Sequence, residues 1–266
     1  MWNGKTVSVV LPAFNEEEGI REAVEGFFVT GVVDEVLVIN NNSFDRTVEE
    51  AAKTKATIIN ETRQGYGAAL TRGLKEAAGD YIILAEPDGT FVSTDIFKLL
   101  SYAYDFEMVC GTRTTRELIW AEANMGWFLR FGNIIVAKWL EVLHNTCSLS
   151  DCGCTLRLVS REALQKFLPL LTVAGSHFLP EMVILARKSG LRIVEIPMNY
   201  RGRKGMSKIT GSLKGTLKTG INMIRLITWY RFKKIAPIEV DVNREKSRAV
   251  NVTLNGRDEK HTSNRH

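Results

Sequence analysis

The chain has 266 residues, 45% hydrophobic and 24% charged, the balance of an ordinary globular protein with a sizeable core and room for one large domain or two small ones. Its formal net charge of +5 hides an asymmetry: residues 1–200 carry 19 basic and 25 acidic side chains, and residues 201–266 carry 16 basic and 5 acidic. Four unevenly spaced cysteines (Cys110, Cys147, Cys152, Cys154), with no His pair beside them, exclude a zinc module and point to free thiols in a reducing compartment.

The N-terminus passes directly into an apolar run, without a charged-then-apolar leader, so no signal peptide is expected. Thr6–Leu11 is β-rich and is expected to stop at Pro12. Glu16 to about Thr30 has helical spacing. Glu35–Ile39 is a second strand, ending at Asn40-Asn-Asn-Ser43. Phe44 to about Lys53 reads as a helix and Ala56–Asn60 as a short strand. Gly67–Ala78 is an Ala/Leu helix with Gly79 as its stop, and Tyr81–Ala85 is a fourth strand. This alternation predicts an α/β fold, a mostly parallel, Rossmann-like sheet with helices on both faces. Ligands of such sheets bind beyond the C-terminal strand ends, where the Pro12–Glu16 loop, the Asn-rich loop and residues 86–88 all fall.

Residues 86–88 carry the strongest local signal. In Glu86-Pro87-Asp88 two carboxylates stand one residue apart at a strand end. Strand side chains alternate, so both point one way and repel unless a cation lies between them. One or two carboxylates plus phosphate oxygens is the usual setting of Mg²⁺. The competing reading is a solvated turn, since Pro-Asp-Gly is a strong turn signal.

Further along, Phe106–Gly111, Leu156–Val159 and Ile193–Ile196 read as strands. Ala123–Leu143 reads as a long helix with aromatics, and Leu179–Lys188 as another helix. Between Arg201 and Lys234 lie ten basic residues and no acidic one, which points to an anionic partner: nucleic acid, anionic lipid or a phosphorylated substrate. Beyond Gly211 the pattern is helical. Leu213, Leu217, Ile221, Met223, Ile224, Ile227 and Tyr230 fall within a roughly 180° arc, edged by Lys214, Lys218 and Arg225. That is the pattern of a helix lying in a membrane interface; the alternative is a helix docked on the protein body. Nowhere do 18 apolar residues run uninterrupted, so no spanning helix is expected. Residues 236–266 are polar and aperiodic, as in a disordered tail.

The motifs fall in a known order. Val9-Val-Leu-Pro-Ala-Phe-Asn-Glu-Glu17, Val38-Ile-Asn-Asn-Asn-Ser-Phe-Asp-Arg-Thr47, Gly65-Tyr-Gly-Ala-Ala-Leu70, Gly79-Asp80 and the acidic pair resemble the family 2 glycosyltransferases of the GT-A fold. Gly111-Thr-Arg113, Asp151-x5-Arg157, Phe178-Leu-Pro-Glu181, Glu195-Ile-Pro197 and Arg203-Lys-Gly-Met-Ser-Lys208 resemble the polyprenyl-phosphate sugar transferases such as the dolichyl-phosphate mannose synthases. The resemblance covers about residues 5–210 and implies a GT-A catalytic domain over 1–210. An amphipathic basic region over 211–235 and the tail over 236–266 would follow it.

The resemblance implies inverting transfer from a GDP- or UDP-linked sugar to a polyprenyl phosphate, with Mg²⁺ or Mn²⁺. Pro12, Ala13, Asn15, Glu16, Asn41, Gln64, Glu86, Pro87 and Asp88 would bind the donor; Arg63 is a weaker candidate. Asn15 also reads as a helix N-cap paired with Glu18. Asn41 stands where the family has a base-contacting Asp. An Asn donates as well as accepts, which leaves the choice of nucleotide open. Asp88 is the stronger metal ligand, and Glu86 departs from the usual Asp. Arg113, Arg130, Thr155, Arg157, Arg203, Ser207 and Lys208 would cradle the acceptor phosphate, with Arg201 a weaker candidate. A phosphate monoester is already anionic near neutral pH and needs no dedicated base. Glu181 would therefore orient the acceptor or an arginine. His144 and His177 have no metal-like companions. The expected partners are the nucleotide sugar, the lipid phosphate, an anionic cytoplasmic membrane surface to which the chain attaches peripherally, and a homo-oligomeric or membrane-anchoring partner. Nucleic acid is not expected, because the acidic first 200 residues oppose a phosphate backbone. Two alternatives remain: a GT-A enzyme using a soluble hydroxyl acceptor with Glu181 as base, and a noncatalytic nucleotide-sugar-binding protein.

Overall fold

The structure, a computed structural model, describes residues 1–120, 127–203 and 213–235. Ser207, Lys208 and the tail 236–266 lie outside the described residues, as do the side chain of Lys214 and the first residues of the long helix expected from Ala123.

Seven strands form one sheet: β1 (Val7–Ala13), β2 (Glu35–Asn40), β3 (Thr57–Asn60), β4 (Tyr81–Leu84), β5 (Met108–Thr112), β6 (Arg157–Ser160) and β7 (Ile193–Pro197). Their order is β3-β2-β1-β4-β6-β5-β7, parallel except for β6, which runs antiparallel to both β4 and β5. The strands are apolar on both faces because both faces are covered. Along β1 the alternation sends Val7, Val9, Leu11 and Ala13 into one core layer and Val10 into the other. The first layer packs under α1 (Ile20–Val29), α2 (Thr47–Ala52) and α4 (Ile96–Tyr102). The second packs under α3 (Tyr66–Glu76), α5 (Trp127–His144), α6 (Arg161–Gln165), α7 (Phe178–Lys188) and α8 (Leu213–Phe232). The expected α/β architecture with helices on both faces is the one found.

The details differ in places. The first strand does not stop at Pro12 but runs to Ala13. Asn41 N donates to Ala13 O on the β2 side and Ala85 N to Val10 O on the β4 side. Backbone groups alternate sides along a strand, so Pro12 turns its missing N–H toward β4, just past the last β4 pair, Val10 with Leu84. Asn15 is not a helix cap: its φ is +55°, its Oδ1 accepts from Phe44 N, and the N-cap of α1 is Gly19. The short α4 was not foreseen.

In α8 the predicted apolar arc is divided. Met223, Ile227 and Tyr230 are buried in the core, while Leu217, Ile221 and Ile224 are exposed. Phe131, Ile135, Trp139 and Val142 form an exposed stripe on α5. The two stripes meet where Trp139 Nε1 donates to Thr228 Oγ1 at 3.1 Å. No described helix is long and apolar enough to cross a membrane.

Gly73 fixes the approach of α3 to the sheet: a Cβ there would stand 2.2 Å from Val10 Cγ1 and 3.1 Å from Ile39 Cγ1. In an open helix Gly→Ala would stabilise by about 1 kcal/mol. Here Gly73→Ala is expected to destabilise by about 1–3 kcal/mol through overpacking, read from the midpoint of urea unfolding. A neutral or stabilising result would mean that α3 is not seated this closely.

Candidate active site

The chain builds β1, β2 and β3 outward in one direction and then returns to lay β4 on the other side of β1. The loops leaving β1 and β4 therefore part, and a crevice opens between them. Residues 14–17 follow β1, residues 41–46 follow β2, and Glu86-Pro87-Asp88 follows β4. The first two loops are stitched together: Asn15 N donates to Ser43 Oγ, Glu16 N to Thr47 Oγ1 and Glu17 N to Asp45 Oδ2. Gly19 opens α1 against the acidic turn, where a Cβ would lie 2.4 Å from Pro87 O.

Asp88 is 1% exposed. Its Oδ1 accepts from Thr90 N at 3.0 Å and Thr90 Oγ1 at 2.6 Å, and its Oδ2 has no hydrogen bond. Glu86 Oε1 accepts from Thr155 Oγ1 at 2.7 Å and from Tyr66 O–H at 3.4 Å. Burial, and then the Asp88 charge, push the Glu86 carboxyl above its ordinary range. Arg203 closes the group. Its Nη2 lies 2.7 Å from Glu16 Oε1 and its Nη1 lies 3.1 Å from Asp88 Oδ2, the latter at ion-pair distance without hydrogen-bond alignment. The segment after β7 brings it there. Met198 N donates to Thr112 O, Tyr200 N to Leu118 O and Arg201 N to Thr90 O, so residues 198–203 cross the C-terminal ends of the strands. Arg201 itself stacks on Trp120, 4.2 Å from the ring centre.

The other predicted residues divide between the crevice and its supports. Asn41 is 3% exposed, and its amide is fully engaged. Nδ2 donates to Glu61 O and Arg63 O, and Oδ1 accepts from Gly65 N and Gln64 Nε2. An Asp could not make the two donations, so the Asn here ties down the loop between β3 and α3. Gln64 also accepts from Asn42 Nδ2. Thr155 joins Glu86 and Tyr66, the latter at 2.5 Å. Arg113 forms a bidentate pair with Asp151 at 2.7 and 3.0 Å and lies 5.3 Å from the Tyr200 ring centre. Burial alone would raise Asp151, but Arg113 holds it below the usual carboxylate range. Glu195 in turn accepts from Ser150 N, Ser150 Oγ and Asp151 N. Arg130 sits, partly exposed, in the first turn of α5.

Arg157 and Glu181 are placed differently from the expectation. Arg157 is 1% exposed, its guanidinium donates to Leu179 O and Cys154 O, and its buried Nε has no hydrogen bond. Glu181 is 0% exposed and is bonded by Thr172, Val173 and Tyr230. Tyr66 was missed as a residue in its own right, although it lies inside the Gly65-Tyr-Gly motif. Burial and the neighbouring Glu86 charge push its hydroxyl well above the ordinary tyrosine range, so it stays protonated.

The acidic pair fits a divalent cation of the Mg²⁺ or Mn²⁺ type. Asp88 Oδ2 is a buried carboxylate oxygen without a hydrogen bond, at ion-pair distance from Arg203 and beside a second carboxyl that burial and the Asp88 charge push above its ordinary range. Among the described residues no cluster of three or more His, Cys, Asp or Glu side chains could hold a metal unaided.

Comparison with known proteins identifies the family. Residues 8–168 match the family described as Glycosyl transferase family 2. A glycosyltransferase of Mycobacterium tuberculosis without an assigned reaction is 31% identical over 227 residues, which is 85% of this chain and 99% of that protein. The low-salt glycan biosynthesis hexosyltransferase Agl6 of Haloferax volcanii is 30% identical over 211 residues, 77% of this chain but 50% of that protein, so the chain spans half of that relative's length. The dolichyl-phosphate beta-glucosyltransferase ALG5D of Trichomonas vaginalis is 26% identical over 247 residues, 85% of this chain and 74% of that protein. Among solved structures, glucosyl-3-phosphoglycerate synthase of M. tuberculosis, in complex with Mn²⁺, uridine diphosphate and phosphoglyceric acid, superposes with a TM-score of 0.65 at 19% identity, covering 88% of this chain and 81% of that one. The chain belongs to glycosyl transferase family 2.

The buried pair behind the crevice is testable independently of catalysis. Asp151→Asn keeps the side-chain shape but leaves Arg113 charged and unpaired. It is expected to lower unfolding free energy by about 3–5 kcal/mol, measured by denaturant titration. A loss below about 1 kcal/mol would show that the pair is solvated.

Proposed function

We propose that this family 2 glycosyltransferase moves a sugar, with inversion, from a nucleoside diphosphate sugar to the phosphate of a polyprenyl lipid at the cytoplasmic face of a membrane. The observation that carries the lipid acceptor is the continuous apolar face of α5 and α8. Phe131, Ile135, Trp139, Val142, Leu217, Ile221, Ile224 and Phe232 are exposed along it. Lys138, Lys218, Arg225 and Arg231 flank it. A monomer gains nothing by showing water such a face, whereas a bilayer would cover it and an anionic leaflet would add roughly 1 kcal/mol per nearby Lys or Arg.

The chemistry asks little of acid–base groups. The acceptor phosphate is an anion near neutral pH, with a second pKa of about 6, and can attack the anomeric carbon directly. Two anions must then be tolerated in one crevice, the incoming monoester and the departing diphosphate. Arg203, already beside Asp88 and Glu16, supplies fixed positive charge there. Asp88 and Glu86 would hold the divalent cation, which as a Lewis acid would neutralise the leaving diphosphate. Thr155 and Tyr66 fix the rotamer of Glu86 by hydrogen bonding to Oε1. Residues 13–16 and Gln64 would meet the nucleoside and its diphosphate. Ser207 and Lys208 remain candidates for the acceptor phosphate.

A hydroxyl acceptor would need a general base, and Glu181 is buried with both oxygens occupied. The relative named as a dolichyl-phosphate glucosyltransferase supports the lipid reading. The solved neighbour with phosphoglyceric acid bound shares the fold.

The test is an incubation of the purified chain with labelled nucleotide sugars, Mg²⁺ or Mn²⁺ and a short polyprenyl phosphate, followed by organic extraction. Label should enter the organic phase from one donor, and Asp88→Asn should lower that transfer by about 10²-fold or more. Label that reaches only water-soluble acceptors would refute the lipid reading. Separately, Ile224→Glu combined with Phe232→Glu should abolish co-sedimentation with vesicles rich in anionic lipid. Unchanged sedimentation, or concentration-dependent dimerisation through the same face, would remove the membrane from the proposal.

A further inference from the structure

Glu181 lies in the first turn of α7 and makes no approach to the acidic pair. Its Oε1 accepts from Thr172 Oγ1 at 2.7 Å and from Tyr230 O–H at 2.7 Å, and its Oε2 accepts from Val173 N at 2.9 Å. Thr172 N is shared between the two oxygens at 3.2 and 3.1 Å. The four lone-pair sites of the carboxylate are thus occupied. Three donors come from residues 172–173 and the fourth from Tyr230, a fully buried residue of α8. Burial, and then the hydrogen bond to Glu181, raise the Tyr230 hydroxyl far above its ordinary range, so it remains a donor. A second tie from α8 reaches the same stretch, with Ser176 Oγ 3.3 Å from Thr219 Oγ1.

The other side of this strap touches the active-site turn. Ala174 O accepts from Gly67 N at 2.8 Å and from Ala68 N at 3.2 Å, the first amides of α3. A Cβ on Gly65 would stand 2.3 Å from Ala174 O, and one on Gly67 would stand 2.3 Å from Val173 O. Gly65 also has a φ of +144°, which a side chain would rarely adopt. The strap and the turn therefore meet backbone to backbone at Gly65 and Gly67. Tyr66 sits between those two glycines, and its hydroxyl reaches Thr155 and Glu86. A displacement at Tyr230 has a short and stiff route to the metal-facing carboxyl.

We propose that Glu181 and Tyr230 are positioning residues that clamp strap 172–176 between α8 and the first turn of α3, so that the seating of α8 sets the place of Tyr66 against Glu86 and with it the affinity for the nucleoside diphosphate part of the donor. The proposal rests on the reading of Glu86 and Asp88 as the donor end of the site, and is independent of the acceptor. Since coupling is reciprocal, nucleotide bound at the crevice holds α8 in turn. If α8 lies on a membrane, the same clamp carries membrane engagement to donor binding.

The experiment uses the full chain with Tyr230→Phe, which removes one oxygen, and Glu181→Gln as a second variant in case the first fails to fold. Amide hydrogen exchange is followed residue by residue, together with binding of UDP and of GDP in the presence of Mn²⁺. In Tyr230→Phe the amides of Thr172, Val173, Gly67 and Ala68 should exchange at least about tenfold faster, the factor that roughly 1.4 kcal/mol represents. The amides of β1 and β4 should keep wild-type rates. Whichever nucleotide binds the wild type should bind the variant about tenfold more weakly, and should slow exchange in the last turns of α8 in the wild type alone. Unchanged exchange at Gly67 and Ala68, or acceleration that is equal in β1 and β4, overturns the clamp even if nucleotide binds. Failure of both UDP and GDP to bind the wild type overturns the donor reading instead, and with it the functional half of the proposal.

Discussion

Two carboxylates one residue apart, at the buried end of a central strand, are the constraint to which the rest of the site answers. Neither is free to turn away. Asp88 is locked by Thr90, and Glu86 by Thr155 and Tyr66. Their mutual repulsion in a low-dielectric crevice is relieved in two ways, by the raised pKa of Glu86 and by the guanidinium of Arg203. A donor diphosphate entering with its own counter-cation would have to share Asp88 with that guanidinium. The crevice is therefore set for charge exchange: positive charge is always present, and what changes is which group supplies it. A site whose compensation is built in loses little reorganisation energy when the anionic ligand arrives.

Behind this front lies a row of buried or half-buried acids that serve position. Asp151 holds Arg113, Glu195 holds the turn that carries Asp151, and Glu181 holds the strap that backs Tyr66. Each accepts hydrogen bonds from backbone N–H groups, which meets the need of a polar side chain removed from water. Asn41 does for the loop between β3 and α3 what these acids do elsewhere, and it needs both halves of its amide for the task. The loops around the crevice are thus fixed by side chains from other elements, and this lets irregular backbone keep a defined geometry next to the chemistry.

The first half of the fold was legible because its signals are local. Apolar runs in β1, β2 and β4 are bounded by Pro, Asn and Gly, and the acidic pair follows a strand by simple alternation. Past residue 90 the local signals weaken. The helix α4 is only seven residues long, and the loop after it has no strong breaker. Nothing in the four residues of β6 announces that they run against their neighbours, since that direction depends on where α5 returns the chain. Arg203 was legible as a candidate through motif order, but its pairing with Glu16 spans 187 positions and no local pattern encodes it. Arg157 and Glu181 show the converse limit. Motif order marked both as important, and only packing shows that one is directed at backbone carbonyls and the other at a strap.

The division of α8 explains why its sequence supported two readings. Met223, Ile227 and Tyr230 are spaced to face α5 and α7, whereas Leu217, Ile221 and Ile224 lie some 60–180° around the helix from them, beside Lys218 and Arg225. A helix that only docked on the body would need the first set. A helix that only floated in an interface would use the whole arc against lipid. Because α8 carries both, it cannot move on its exposed side without moving Tyr230 on its buried side. The hydroxyl of Tyr230 ends on Glu181, and the strap held by Glu181 ends on the turn that carries Tyr66. The exposed face of α8 and the turn that carries Tyr66 are thus joined through a single helix.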